Sequence, residues 1–266
     1  MSVCVSAGDP RRYEKQLALP QIGPEGQARL QRAAVAIIGC GALGSAQAQI
    51  LVRAGIGAVR LVDRDVVELS NLHRQILFDE EDARLSRPKV EAAAARLARI
   101  NGACRIEARH VEADAANLPA LIEGARLVLD ATDNVPTRLA IDAACRAARL
   151  PWIYGGVMGT QGLVVPMPVG APCLTCLFGE PPSPADGKAP DWRERGLLST
   201  AVLTVAALQA TAALKFIIGE PLPRELLALD VWDASLRRIA LSGTAREGCA
   251  CTRCHGAAQR SGNGRA

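Results

Sequence analysis

Aromatic side chains are scarce in this sequence: three tryptophans, two tyrosines and three phenylalanines make up 3% of its 266 residues. Ala, Val, Leu and Ile must therefore fill the core, and the 49% hydrophobic content supplies them. The formal charge is a modest +4 and no basic stripe carries interleaved aromatics, so composition gives nucleic-acid binding no support. The N-terminal MSVCVSAGDPRR has no charged segment followed by an apolar core, and no secretory signal is expected. The one membrane candidate, Leu197–Ile218, is Ala/Thr-rich and carries Gln209 and Lys215, which reads better as a buried helix. Nine cysteines without a signal indicate a reducing, cytoplasmic compartment, where paired cysteines mean metal or redox chemistry before disulfides. No internal repeat is visible, and no G-K-[ST] follows the glycine-rich motif.

What is present begins with Ala34–Asp65, AVAIIGCGALGSAQAQILVRAGIGAVRLVDRD. The apolar run Val35–Ile38 reads as a buried parallel strand, Ala46–Ala54 as a helix, and Val59–Val62 as a second strand ending in Asp63. Between them lies G-x-G-x-x-G: Gly39, Gly41 and Gly44. Such glycines allow a tight turn and close backbone approach, the helix N-terminus offers N–H groups to phosphate, and Asp63 can accept from a ribose. This predicts a nucleotide site without choosing between a dinucleotide and ATP.

Residues 10–32 are polar with a short helical tail, and Arg11 and Arg12 on their own read as solvated charges. Asp63 is followed by Asp65 and a polar loop through Asn71, His73, Arg74 and Gln75, at the strand edge where open α/β sheets bind ligands. Ser86-Arg87-Pro88-Lys89 opens a helix to about Ile100, with Ser86 as expected cap and Lys89 in the first turn. A lysine there opposes the helix dipole unless an anion is near. Cys104–Val111 reads as a strand, Leu118–Glu123 as a short helix, and Arg126–Asp130 as a buried strand that empties into Ala131-Thr132-Asp133-Asn134. A helix follows from about Val135 to Ala148, for which Asp133 or Asn134 could be the cap. Trp152–Tyr154 is a short strand, and Gly155–Pro168 reads as antiparallel segments. The Pro-rich stretch 179–196 is a crossover loop, the long Ala/Leu helix comes next, and Leu226–Trp232 and Leu236–Leu241 pair. Residues 255–266 form a tail expected to be disordered.

Two C-x-x-C pairs, Cys173/Cys176 and Cys251/Cys254, suit a closed tetrahedral, structural zinc. Their separation exceeds a usual zinc-finger loop, so the metal would staple the tail onto the domain. Cys249 and His255 fall near enough to stand in for a ligand. A redox C-x-x-C would need a thioredoxin-like context that is absent. Cys4, Cys40, Cys104 and Cys145 read as core or incidental thiols. Arg74, Lys89 and Asp133 all fall where they could surround a triphosphate: the cations neutralise phosphate charge and the carboxylate holds Mg²⁺. That set suits attack on a nucleotide phosphorus better than hydride transfer.

Together these stretches resemble the ThiF/MoeB/HesA family of adenylating enzymes, bacterial relatives of ubiquitin-activating enzymes. The matching segments are Arg12-Tyr13-x-x-Gln16, GCGALG after a strand, LVDRDVVELSNLHRQ, RPKVE, DATDN with Arg138 following, and the two C-x-x-C pairs, in family order over about residues 11–254. The resemblance implies an α/β fold: a Rossmann-like, mostly parallel sheet with helices on both faces, antiparallel C-terminal strands and a zinc-stapled tail. It implies one adenylating domain, 1–254, with a nucleotide-binding half at 35–150 and a carrier-binding half at 151–254.

The implied activity is ATP-dependent adenylation of the C-terminal glycine carboxylate of a small ubiquitin-like sulfur carrier, with release of pyrophosphate. By resemblance, Asp63 binds ribose with Asp65 beside it, and Gly41 borders the phosphates. Asn71, Arg74 and Lys89 grip the phosphate chain, Asp133 holds magnesium, and Arg12 reaches the γ-phosphate of a neighbouring subunit, which implies a homodimer. Two departures stand out. The family often has arginine where Lys15 stands, and several members carry a crossover-loop cysteine where this chain has Trp192, within Pro190–Gly196. Adenylation without a covalent carrier–enzyme link on that loop is therefore expected. Sulfur would come from a separate donor, no rhodanese-like extension being expected after Cys254. Rival readings are adenylation of a peptide or tRNA base, a catalytically weak scaffold for a ubiquitin-like partner, and an NAD-dependent oxidoreductase. The pathway served, whether for thiamine, molybdopterin, cysteine or a specialised metabolite, is left open.

Overall fold

A computed structural model describes residues 9–179 and 196–241. The strands β1 (Ala34–Ile38), β2 (Ala58–Asp63), β3 (Arg105–His110), β4 (Leu127–Asp130) and β5 (Trp152–Met158) run parallel in the spatial order β3-β2-β1-β4-β5. The same sheet continues antiparallel through β6 (Gln161–Met167), β7 (Glu225–Asp230) and β8 (Ser235–Ala240). This is the expected mixed sheet, mostly parallel with an antiparallel C-terminal part.

Both faces of the sheet are covered, which is why its central strands are mainly apolar, with Asp63 and Asp130 at the ends of β2 and β4. On β1, Val35 and Ile37 enter one core while Ala36 and Ile38 enter the other. The first core is closed by α2 (Gly23–Arg32), α3 (Ala42–Ala54), α5 (Lys89–Ile100) and α9 (Ser199–Ile218), through Leu30, Leu51, Leu97 and Val205. The second is closed by α6 (Leu118–Leu121), α7 (Val135–Ala147) and α8 (Leu174–Phe178), through Leu118, Ile141 and Leu174. By length and composition α9 could cross a bilayer. In this structure it lies on the sheet against α3 and β5, with Val202, Val205, Gln209 and Ala213 buried.

Three expectations change in detail. β5 runs to Met158 and does not stop at Tyr154, because β6 pairs along its whole length while the short β4 reaches only Trp152 and Ile153. Ser86 does not cap α5: it sits at φ 47°, Pro88 is the N-cap, and Lys89 is the first helical residue. The cause is a Val66–Pro88 bridge, with Val67 N–H donating to the Arg87 carbonyl, which holds this segment extended. The N-terminal segment is also more structured than its polarity suggested. It forms a 3-10 turn over Pro10–Tyr13, then α1 (Glu14–Leu17), then α2. Asn101 donates to the buried Tyr13 hydroxyl, and Gln16 donates to the Ala54 carbonyl. Tyr13 and Gln16 thus clip the segment to the ends of α5 and α3.

Candidate nucleotide site

The spatial order reverses between β1 and β4, and at such a switch point the loops leaving the strand ends part to form a crevice. The glycine turn leaves β1 there. Gly39 has φ 98°, and a Cβ on it would lie 2.5 Å from the Ala131 carbonyl oxygen. The turn therefore presses against the loop that carries Asp133. Helix α3 starts directly after Gly41, earlier than the sequence suggests, so Gly44 lies inside its first turn. No side chain caps α3, and its opening N–H groups have no intrahelical acceptor. A backbone cradle without side-chain obstruction, ending in N–H donors, fits a phosphate chain.

Asp63, at the end of β2, accepts from Cys40 N–H at 2.6 Å and from Asp65 N–H at 2.8 Å. The carboxylate is thereby fixed beside the cradle. Burial raises its pKa, opposed by those two backbone bonds and by the Lys89 charge. Each oxygen keeps a lone pair for a ribose hydroxyl. Protonation would turn one Asp63 oxygen from acceptor to donor and weaken its hold on a ribose, and burial brings this about at a higher pH than the roughly 3.9 of an ordinary aspartate. Adenosine, which has no phosphates to titrate, should accordingly lose affinity at a midpoint above the ordinary value. In Lys89→Met the midpoint should rise further, because an opposing charge is gone. Calorimetric titration at stepped pH checks both, and a flat profile would count against Asp63 as the ribose acceptor.

Lys89 is buried at the start of α5, its Nζ 2.9 Å from Asp65 Oδ2, while its own N–H donates to the Asp65 carbonyl. The anion that its position against the helix dipole requires is thus Asp65. A merely solvated charge would not have an 8% exposed side chain. Asp133 is exposed just before α7, whereas Asn134 is the N-cap, accepting from Thr137 N–H at 2.9 Å. Asp133 is therefore not spent as a cap.

The remaining expected residues stand differently. Asn71 is buried and accepts from Glu68 N–H, holding its own loop. Arg74 is half-buried, donates to the Ser70 carbonyl at 2.8 Å and touches His73. Arg12 is exposed and donates to the Ile100 carbonyl at the far end of α5, about 16 Å along that helix from Lys89. The structure brings Gly39, Gly41, Gly44, Asp63, Asp65, Lys89 and Asp133 to one edge, and leaves Arg12 of the same chain away from it.

Sequence reasoning gave Gln75 no role, and it placed Asp130 at this edge and Arg138 in a matched motif without seeing that the buried Asp130 and half-buried Arg138 pair. Gln75 is buried with an unpaired Oε1, and its Nε2 is the nearest atom to a Cβ built on Gly41. Both features lay inside the matched motifs, which was the available signal. Of the cysteines, Cys173 is the buried N-cap of α8 and Cys176 lies in that helix, exposed. Among the described residues no group of three His, Cys, Asp or Glu side chains is placed to hold a metal. Cys251, Cys254, Cys249, His255 and Trp192 lie outside the described residues. Burial lifts the Cys104 and Cys145 thiols to about 12 and raises that of Cys40, as expected of inert core thiols.

The chain is similar to known proteins over most of its length. The ThiF family profile matches residues 13–251. The sulfur carrier protein ThiS adenylyltransferase of Bacillus subtilis is 39% identical over 239 residues, covering 90% of this chain and 70% of that protein. The sulfur carrier protein adenylyltransferase of Thermus thermophilus is 40% identical over 238 residues, 86% of each. Among solved structures, E. coli MccB with ATP superposes at a TM-score of 0.76 with 23% identity, over 92% of this chain and 75% of that one, a likeness of fold alone. With its family profile matched from Tyr13 to Cys251 and its glycine cradle at the switch point of the sheet, the chain belongs to the ThiF family.

Proposed function

We propose that this protein is an ATP-dependent adenylyltransferase acting on the C-terminal glycine carboxylate of a small ubiquitin-like sulfur carrier. The observation that carries the reading is the convergence of the glycine cradle, Asp63, the buried Lys89 and the exposed Asp133 on one edge. The named relatives, similar over most of the chain, support the carrier as substrate.

The chemistry asks little beyond placement. A C-terminal carboxylate, with a pKa of about 3.5, is already ionised at neutral pH and needs no general base. Its oxygen attacks the α-phosphorus, the bond to the β-phosphate oxygen breaks, and pyrophosphate leaves with the electron pair. Asp63 fixes the ribose, the α3 N-terminus and Gly41 receive the phosphates, and Lys89 neutralises charge in the transition state. For Lys89 to turn toward phosphate it must loosen from Asp65, so the ion pair holds the lysine ready until substrate arrives. Asp133 would hold a magnesium ion, which supplies charge neutralisation along the triphosphate. Arg74 would leave Ser70 and His73 to reach the phosphates.

ATP–pyrophosphate exchange with a Gly-Gly-ended carrier from the same genome tests this reading. Exchange with the carrier, lost when its final glycine is removed, is expected. No exchange with any such carrier would sink the proposal.

We assign Arg12 to the site of a partner subunit in a homodimer. Its distance from Lys89 of its own chain supports this, since an arm resting at the far end of α5 is oriented away from its own site. Mixing inactive Arg12→Ala with inactive Asp133→Ala subunits should restore part of the exchange activity, because some mixed sites combine an intact Arg12 with an intact Asp133. No rescue, with subunit exchange confirmed by native mass spectrometry, would return Arg12 to the surface charge it resembles.

A structural zinc on Cys173, Cys176, Cys251 and Cys254 completes the reading, together with a separate sulfur donor and a reducing, cytoplasmic location. The α8 turn supports the metal by presenting one C-x-x-C half on a short helix docked to the second core. Metal analysis should find about one zinc per chain. A metal-free preparation that is folded and active would contradict the staple.

A further inference from the structure

In a chain so poor in aromatics, three of the rings cluster about Tyr154, whose face carries one cation, Arg138 of α7. Its guanidinium sits 4.7 Å from the Tyr154 ring centroid, and Trp152 and Phe178 pack at 6.5 and 5.5 Å from Tyr154. Arg138 Nη1 donates to the Tyr154 hydroxyl at 3.0 Å. Nη2 donates to the Thr132 carbonyl at 2.7 Å and to the Gly155 carbonyl at 3.1 Å. Its Nε lies 3.3 Å from Oδ2 of the fully buried Asp130, an ion pair in which neither atom gains a hydrogen bond. Asp130 in turn accepts from Thr132 twice, from its N–H and its hydroxyl.

Thr132 is therefore held at every polar atom. Its carbonyl shares a peptide plane with the N–H of Asp133, so the bond from Arg138 sets the direction in which the chain enters Asp133. On the other side Asn134 is tied down as the cap of α7. Asp133 itself is exposed, and its direction follows from these two neighbours. A lysine could neutralise Asp130, but a single ammonium cannot reach the Thr132, Gly155 and Tyr154 oxygens as the planar fork does.

We propose that Arg138, seated on Tyr154, is the positioning residue for the Asp133 turn, aiming that carboxylate at the metal–triphosphate complex. The inference rests on the adenylation reading above. It goes beyond that reading by giving α7 and β5 a role in metal affinity, through groups that touch neither substrate nor metal.

The test is Arg138→Lys, which keeps a charge opposite Asp130 and loses the fork. The magnesium concentration for half-maximal exchange should rise roughly tenfold to a hundredfold, the range expected when a reacting group is misplaced by about an ångström. KM for the carrier and the circular dichroism spectrum should stay unchanged. Binding of Mn²⁺ in the presence of a non-hydrolysable ATP analogue, followed by electron paramagnetic resonance, should weaken in Arg138→Lys. It should not weaken further when Asp133→Ala is already present. Tyr154→Phe keeps the ring and loses the hydroxyl, and should shift both measures in the same direction by less. If Arg138→Lys does not fold, Tyr154→Phe decides by the same measures. A folded variant with wild-type magnesium dependence, or equal weakening of Mn²⁺ with and without Asp133, overturns the positioning role. Wild-type protein without exchange overturns the adenylation reading instead, so the two failures are distinguishable.

Discussion

Asp133→Ala is expected to lower ATP–pyrophosphate exchange by roughly three orders of magnitude, the equivalent of about 4 kcal/mol of transition-state stabilisation. The estimate follows from what the carboxylate is placed to do. The magnesium ion that it would hold beside the triphosphate neutralises charge that the arginine and lysine cations alone leave uncompensated. The site is also a clean place to cut. Asp133 is exposed and caps no helix, that task falling to Asn134, so the alanine variant should keep its stability within about 0.5 kcal/mol. Asp133→Asn keeps the shape without the charge and should fall between the two. Exchange assays read the loss, and urea unfolding confirms the unchanged fold. Near-wild-type exchange in Asp133→Ala would move the metal ligand elsewhere. The neighbouring Asp130 could not serve this test. It is buried, its pKa raised chiefly by that burial, and removing it would leave the Arg138 guanidinium without its counter-ion.

The contrast between these two aspartates shows how far sequence reasoning reached. Both fall in DATDN at the end of a strand, and both are acidic residues at the ligand edge. Strand periodicity and edge position were enough to find them, because the parallel pairing of β1 and β4 brings the end of β4 beside the glycine turn. Which of the two faces solvent depends on Arg138 and Tyr154 arriving from α7 and β5, and that is a tertiary fact. Lys89 makes the same point. Its conflict with the helix dipole was visible in the order of residues, but the resolving anion, Asp65, is 24 positions away and meets it only through the bridge between Val66 and Pro88. The same bridge defeated the expectation of Ser86 as cap: local composition favoured a cap, and pairing with a distant loop overrode it. Gln209 shows the limit most clearly. On sequence it argued against a membrane helix. In the fold it is fully buried, donating to the Asp130 and Ile153 carbonyls and accepting from Gln47 at 2.6 Å. One carboxamide thus ties α9 and α3 to the strands beneath the nucleotide edge, a role no spacing could announce.

The glycine turn leads to a second large effect, with two outcomes that separate folding from binding. A Cβ on Gly44 would overlap the Gly39 carbonyl oxygen and come within 3.2 Å of the Ala131 side chain. Neither neighbour can retreat cheaply. Gly39 N–H donates to the Val62 carbonyl and Ala131 N–H to the Ile38 carbonyl, both at 2.8 Å, so a shift would break the register at the switch point. Gly44→Val should therefore cost about 3 kcal/mol of stability. It should also abolish measurable ATP binding, because α3 can no longer approach the turn. Gly41 is different: a Cβ there would meet only Gln75 Nε2, at 3.7 Å. Gly41→Ala should fold with a loss of about 1 kcal/mol, the usual penalty of alanine at an N-cap. Yet its methyl would stand where the phosphates pass, and KM for ATP should rise roughly tenfold, about 1.4 kcal/mol. Urea unfolding and exchange kinetics on the two variants distinguish the roles. If Gly44→Val unfolds at the wild-type midpoint, the close approach of helix to turn is not what that glycine provides. If Gly41→Ala leaves KM for ATP unchanged, the phosphates do not run past it, and the cradle must be sought farther along the α3 N-terminus.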